Sequence, residues 1–187
     1  MLKSVTLSED VWSRAKQIKL LGIDADGVLT DGYLYYTENG EFLKAFHTLD
    51  GFRIKLLIQA GIEVAILSGR DSPMLRRRLG DLGVKHLYLG LHDKGATWDA
   101  LQAGLGVTQA ESAFIGDDWI DVPALVRSGL AIAVPEAPGR VKSFTHYITQ
   151  RAGGKGAVAE VAELILEAQE KLEPLWQLAV KGGGVGQ

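Results

Sequence analysis

The chain has 187 residues, 47% of them hydrophobic, a net charge of −3 and an isoelectric point near 5.8. That length sustains one well-buried core and not two, and the mild acidity gives no electrostatic footprint for nucleic acid or an anionic membrane. With no cysteine, a disulfide framework and a thiolate metal site are both excluded, and no apolar run reaches membrane length.

The N-terminal stretch MLKSVTLSEDVWSRAK mixes acids and bases without an apolar signal core, so residence in the cytoplasm is expected. The first predicted strand, residues 18–24, is apolar except for Lys19, Gly22 and its terminal acid, and it opens into DADGVLTDG. Asp24 and Asp26 stand two apart, so on an extended chain both carboxylates project to the same side. Two carboxylates about 4 Å apart repel by roughly 4 kcal/mol at an effective dielectric near 20. A cation or a shared proton must offset that repulsion. An Asp-Gly turn after a strand accounts for the same residues without chemistry; a phosphoryl-transfer site is the sharper reading.

Next comes a predicted β-hairpin, in which Tyr33 to Tyr36 and Phe42 to Phe46 flank Glu38-Asn39-Gly40. From there apolar runs alternate with amphipathic segments. Strands are predicted over 63–67, 86–89, 112–115 and 130–134, and helices over 51–60, 73–82, 95–105, 119–127 and 156–172. The strands lack clean polar alternation, as in a parallel sheet covered on both faces. This βαβα order implies a doubly wound, Rossmann-type α/β layer fold. A single domain over 1–187 is expected, with a hairpin flap at about 32–47 and a flexible, glycine-rich tail at about 173–187.

In such sheets ligands collect beyond the carboxyl ends of the strands. The second strand ends in Ser68-Gly69-Arg70, a hydroxyl, an open amide and a guanidinium that suit a phosphate. Lys94 follows Asp93, a candidate N-cap; a cation there opposes the helix dipole, which hints at a nearby anion. The fourth strand ends in Gly116-Asp117-Asp118-Trp119-Ile120-Asp121, and capping needs one carboxylate rather than three.

The order DxDGxxTD, SGR, Lys, GDDxxD resembles the haloacid dehalogenase (HAD) superfamily of phosphohydrolases over roughly residues 18–170. The resemblance implies that Asp24 is the nucleophile that forms an aspartyl-phosphate, and that Asp26 protonates the leaving sugar oxygen and then activates water. It also implies a magnesium ion held by the Asp24 carboxylate, the Asp26 carbonyl and Asp117, supported by Asp118 and Asp121. Ser68 and Lys94 would hold the transferring phosphoryl group. Too few residues separate Asp31, Ser68 and Lys94 for a cap domain, so the site needs another cover, and a neighbouring subunit could supply it.

More locally, DADGVLTDGYLYY, NGEFLKAFHTLDGFRIKLL, VAILSGR, LGVKHLYLG, FIGDDWID and RAGGKGAVAEV are similar to the capless 3-deoxy-D-manno-octulosonate 8-phosphate (KDO 8-phosphate) phosphatase family, a homotetramer of lipopolysaccharide precursor synthesis. Substrate contacts implied by that resemblance are Asp26, His47, Thr48, Leu49, Asp50, Gly51, Lys55, Arg70, Arg78 and Lys94. Two departures stand out: Lys155 and Ala159 occupy positions where the family typically has arginine. The runner-up substrate is a nine-carbon sialic-type sugar acid phosphate. A phospho-acceptor module without turnover, in which the acceptor follows an acidic pair, fits the order of the motifs less well; a catalytically silent homologue is the other alternative, since fold does not guarantee function.

Overall fold

The structure, a computed structural model, describes residues 7–186. Helix α1 (Glu9–Ala15) opens it, and the Ser8 hydroxyl caps this helix by accepting a hydrogen bond from Val11 N at 3.3 Å. Strand β1 (Leu20–Ile23) follows, then the hairpin strands β2 (Tyr35–Thr37) and β3 (Gly40–Leu43), and helix α2 (Thr48–Gln59). Next are β4 (Glu63–Ser68), α3 (Pro73–Asp81), β5 (His86–Leu89), α4 (Lys94–Leu105), β6 (Ser112–Gly116) and the short helix α5 (Val122–Leu125). The chain continues through β7 (Leu130–Ala133), α6 (Gly139–Lys142), β8 (Tyr147–Ile148), α7 (Ala157–Ala168) and α8 (Leu172–Val180).

Six strands form one parallel sheet in the order β5-β4-β1-β6-β7-β8, while β2 and β3 pair by themselves as an antiparallel ribbon. Helices cover both faces, which is why β1, β6 and β7 are buried along their whole length and show no alternation. The expected α/β doubly wound architecture with a hairpin flap is therefore what the chain adopts. Strand β1 lies at the centre, with Leu20 opposite both Glu63 and Ser112. Gly22 breaks its apolar run for a packing reason. A Cβ there would lie 2.5 Å from the ring of Phe114 and 2.7 Å from that of Trp98. Those two rings meet edge to face at 5.4 Å, and Trp98 Nε1 donates to Ser128 Oγ at 2.9 Å.

Three segments differ from the sequence expectation. Residues 119–127 form a 3₁₀ turn (Trp119–Asp121) followed by α5, because the Asp121 carboxylate folds back onto main-chain amides at the helix entry. The helix expected over 156–172 stops at Ala168, and Glu170 takes a left-handed φ of 58°. Helix α8 then occupies part of the stretch expected as tail, with Leu172 and Leu175 packed on the core. Strand β8 was too short to signal itself.

Candidate active site

The carboxyl ends of β4, β1 and β6 lie side by side at the middle of the sheet, and the three acidic or polar motifs follow them directly. After β1 the chain makes a wide turn over Ala25–Leu29, closed by Thr30 N donating to Ala25 O at 3.1 Å. Gly27 sits in this turn at φ 96°, a conformation that side chains rarely tolerate. A Cβ there would also overlap the Asp117 carboxylate, so the turn and the Asp117 loop pack directly against each other. The second close approach is at Gly153 and Gly154. Gly154 N donates to Val28 O at 2.9 Å, and a Cβ on Gly153 would strike the Gly27 carbonyl.

Asp24, Lys94 and Asp121 form a buried chain of charge. Lys94, 2% exposed, donates to Asp24 Oδ1 and, at 2.6 Å, to Asp121 Oδ1. Asp121 uses its other oxygen to accept from Asp117 N at 2.9 Å and Asp118 N at 3.1 Å. Both of its oxygens are thus engaged, and it buttresses the centre. Carboxylate oxygens of Asp24, Asp117 and Asp121 lie within 4.8 Å of one another. Burial, followed by the Asp121 charge, pushes Asp24 well above the ordinary carboxylate range, against the pull of Lys94. Burial and then Asp121 likewise push Asp117 up to about 7. For Lys94, burial alone would lower the ammonium, but Asp24 and Asp121 outweigh it and raise it.

Three acids against one lysine leave an excess of two negative charges in a desolvated pocket. Hard oxygen donors at this spacing, too close to be jointly ionised alone, fit a divalent cation such as magnesium. Asp24 and Asp117 are the carboxylates that would hold it. Asp118 stands outside the cluster: it is exposed and caps the following turn by accepting from Trp119 N at 2.7 Å.

Ser68, 2% exposed, ends β4 beside β1, and its Oγ accepts from Arg70 N at 3.2 Å. The Asp26 side chain points the other way, toward the hairpin. Its Oδ1 pairs with Lys44, while its Oδ2 lies 3.6 Å from Arg70 Nε. Arg70 also donates to Tyr36 Oη at 2.8 Å and stands 3.7 Å from Glu41. Lys44, Glu41 and Tyr36 were not anticipated from sequence. The available signal was a lone lysine in the apolar return strand FLKAF.

The remaining expected residues divide. Asp50 is 1% exposed, and its Oδ1 accepts from Ala159 N at 2.7 Å, so it caps α7 from α2. Burial raises its proton affinity against that bond. His47, Thr48 and Leu49 lead into the first turn of α2, and the buried His47 Nδ1 has no hydrogen-bond partner. Gly51 faces the Arg78 guanidinium at a distance that leaves no room for a Cβ. Arg76 and Arg77 are instead taken up by Asp71 and Asp81 at the surface. Lys55 lies farther along α2, against Gly186 of the C-terminal segment. Of the two departures, Lys155 is exposed, while Ala159 is buried at its bond to Asp50.

Residues 90–161 match the model of haloacid dehalogenase-like hydrolases. The chain is 48% identical over 158 residues to 3-deoxy-D-manno-octulosonate 8-phosphate phosphatase KdsC from Haemophilus influenzae, covering 84% of this chain and 88% of that protein. Identity to the same enzyme of Yersinia pestis is 44%, over 93% of each chain. A crystal structure of 3-deoxy-D-manno-octulosonate 8-phosphate phosphatase from Moraxella catarrhalis, in complex with magnesium, phosphate and KDO, superposes with a TM-score of 0.89 at 38% identity. It covers 92% of this chain and 99% of that one.

Proposed function

Because this chain belongs to the 3-deoxy-D-manno-octulosonate 8-phosphate phosphatase family of haloacid dehalogenase-like hydrolases, we propose that it hydrolyses KDO 8-phosphate to KDO and inorganic phosphate, a step of lipopolysaccharide precursor synthesis. The observation that carries this reading is the buried convergence of Asp24, Asp117, Asp121 and Lys94 at the carboxyl ends of β1 and β6.

An Asp24 oxygen attacks phosphorus, so a P–O bond to Asp24 forms as the bond to the sugar oxygen breaks, and Asp26 delivers a proton to that departing oxygen. Asp26, now a carboxylate, then takes a proton from water as the water attacks the aspartyl-phosphate, freeing Asp24 and phosphate. Lys94 holds Asp24 in place and, with the Ser68 hydroxyl, offers donors to the transferring phosphoryl oxygens. Magnesium, when bound, supplies positive charge that relieves the carboxylate repulsion and neutralises phosphoryl charge.

For the sugar acid, the chain offers a groove of about 440 Å³ lined by Lys44, Phe46, Pro73, Arg77 and Arg78 among others. Its wall reaches the Asp26 partner Lys44, and since Lys44 and Arg77 are already paired with acids, Arg78 is the cation it offers to a carboxylate. His47, Thr48, Leu49, Asp50, Gly51, Lys55 and Arg70 are the further substrate contacts in this reading; Gly51 faces Arg78 of the groove, and Asp50 also caps α7. One domain spanning 1–187, a homotetramer and a cytoplasmic site complete the reading. Support for assembly comes from the hairpin, where Tyr33, Tyr36 and Phe42 are 71%, 56% and 58% exposed. No helix among the described residues is long and apolar enough to cross a membrane.

Phosphate release from KDO 8-phosphate and from a nine-carbon sialic-type acid phosphate, with and without magnesium, tests the proposal. Magnesium-dependent turnover that favours the eight-carbon ester is expected, with a loss of at least about 10³-fold in Asp24→Asn. Preference for the nine-carbon ester would overturn the substrate, and substantial turnover by Asp24→Asn would overturn the nucleophile.

A further inference from the structure

Lys44 is a buried charge that the catalytic steps above leave without a role. Its side chain is 1% exposed, although it follows β3 of a hairpin that is otherwise largely exposed. A buried ammonium is retained only where it is paired, and leaving its partner uncompensated is costly. Its partners are Asp26 and, at 3.1 Å, Glu41, whose side chain is 10% exposed. Together with Arg70 these make a four-charge knot, with two acids and two cations drawn from the turn after β1, the hairpin and the loop after β4.

The two oxygens of Asp26 are not equivalent in this knot. Oδ1 is hydrogen-bonded to Lys44, whereas Oδ2 has only the Arg70 Nε approach at 3.6 Å, beyond hydrogen-bond range. Arg70 Nε is itself a buried donor without an acceptor. Lys44 therefore pins one oxygen of Asp26 and fixes its rotamer, leaving the other oxygen aimed at the space beside Arg70.

Building on the hydrolase reading above, we infer that Lys44 is a positioning residue for the leaving-group step, holding Asp26 through Oδ1 so that Oδ2 carries the proton to the departing sugar oxygen. In that step the O–H bond on Oδ2 breaks as the new O–H bond forms on the sugar oxygen, in concert with cleavage of its bond to phosphorus. Glu41 anchors Lys44 from the hairpin, so the seating of the hairpin and the aim of the acid are one arrangement.

Paired leaving groups test this. An alkyl ester such as KDO 8-phosphate needs the proton, whereas p-nitrophenyl phosphate leaves as a stable phenolate and does not. The ratio kcat/KM covers binding and every step through departure of the leaving group, so kcat and KM are read separately: a loss in kcat is expected, and a loss carried by KM alone would be a lost substrate contact and would overturn the inference. Lys44→Met is expected to lower kcat/KM for the alkyl ester by about 10²-fold, the lower range of what a positioned acid contributes. The same variant should lose less than about threefold on the aryl ester. Lys44→Arg, which keeps the charge, should recover at least about tenfold of the lost alkyl-to-aryl ratio. The aryl activity doubles as a folding control; should Lys44→Met fail to fold, Lys44→Gln is read in the same way. Equal losses on both esters, or no loss on the alkyl ester, would overturn the inference while leaving the hydrolase reading intact. Wild-type protein inert toward both esters would instead sink the hydrolase reading.

Discussion

Replacing Asp117 by asparagine removes one titrating carboxylate from the buried centre and leaves its shape nearly unchanged. In the folded chain, burial and then Asp121 raise Asp117 from the ordinary 3.8 to about 7. Between those values the folded state keeps a proton that the unfolded state has already released. Stability must therefore fall as pH rises through this window, by as much as about 1.36 kcal/mol per pH unit, and level off above about 7. Across the whole window the loss is bounded at about 4 kcal/mol; Asp117 is only partly buried, and solvent screening brings the expected value to about 2 kcal/mol. Asp24 is raised in the same direction, and the Asp117 charge is one cause of that rise, so the difference between the two proteins reports the coupled pair. Urea unfolding in EDTA across this range should show wild type losing about 2 kcal/mol relative to Asp117→Asn. Excess magnesium should abolish that loss, because a dication supplies the compensation that the proton gave. Parallel stability curves for the two proteins in EDTA would refute the charge accounting, as would a wild type that gains on the variant as pH rises.

Two further outcomes rest on other parts of the fold. Gly22→Val forces a side chain into the Trp98–Phe114 contact and should cost about 1–3 kcal/mol by overpacking, read as a lower urea midpoint at unchanged m-value; a midpoint equal to wild type would contradict the packing assignment. Converting Tyr33 and Phe42 together to aspartate should shift the protein to smaller species in light scattering and lower kcat/KM with them. A tetramer that persists with full activity would remove the hairpin from the interface.

The residues legible from sequence were those whose chemistry is local. Asp24, the Ser68 strand end, Asp117 and Asp121 follow adjacent strands within a few residues, so topology alone brings them together, whereas the Asp26 side chain turns to the hairpin and Asp118 to solvent. Lys94 was legible because an ammonium at a helix entry is locally unfavourable, and the structure resolves it with two buried carboxylates. Asp50 shows the converse. Its partner, the amide of Ala159, lies on a remote helix, so a capping role could not be told from a ligand role. Lys44 and Glu41 escaped because a two-stranded ribbon has no fixed buried face in sequence; only the closure of the hairpin over Asp26 makes one. The end of α7 and the start of α8 were blurred into one pattern because both carry apolar residues at helical spacing, and only the left-handed Glu170 separates them.

The seam where Gly153 and Gly154 lie against the Gly27 turn ties the catalytic loop to a segment far away in the chain. Neither stretch can drift alone: a methyl group on one side collides with the main chain of the other. Evolution, or an engineer assembling chimeras, must therefore treat these loops as a matched pair. Transplanting one without its counterpart would misplace the nucleophile before any substrate arrived.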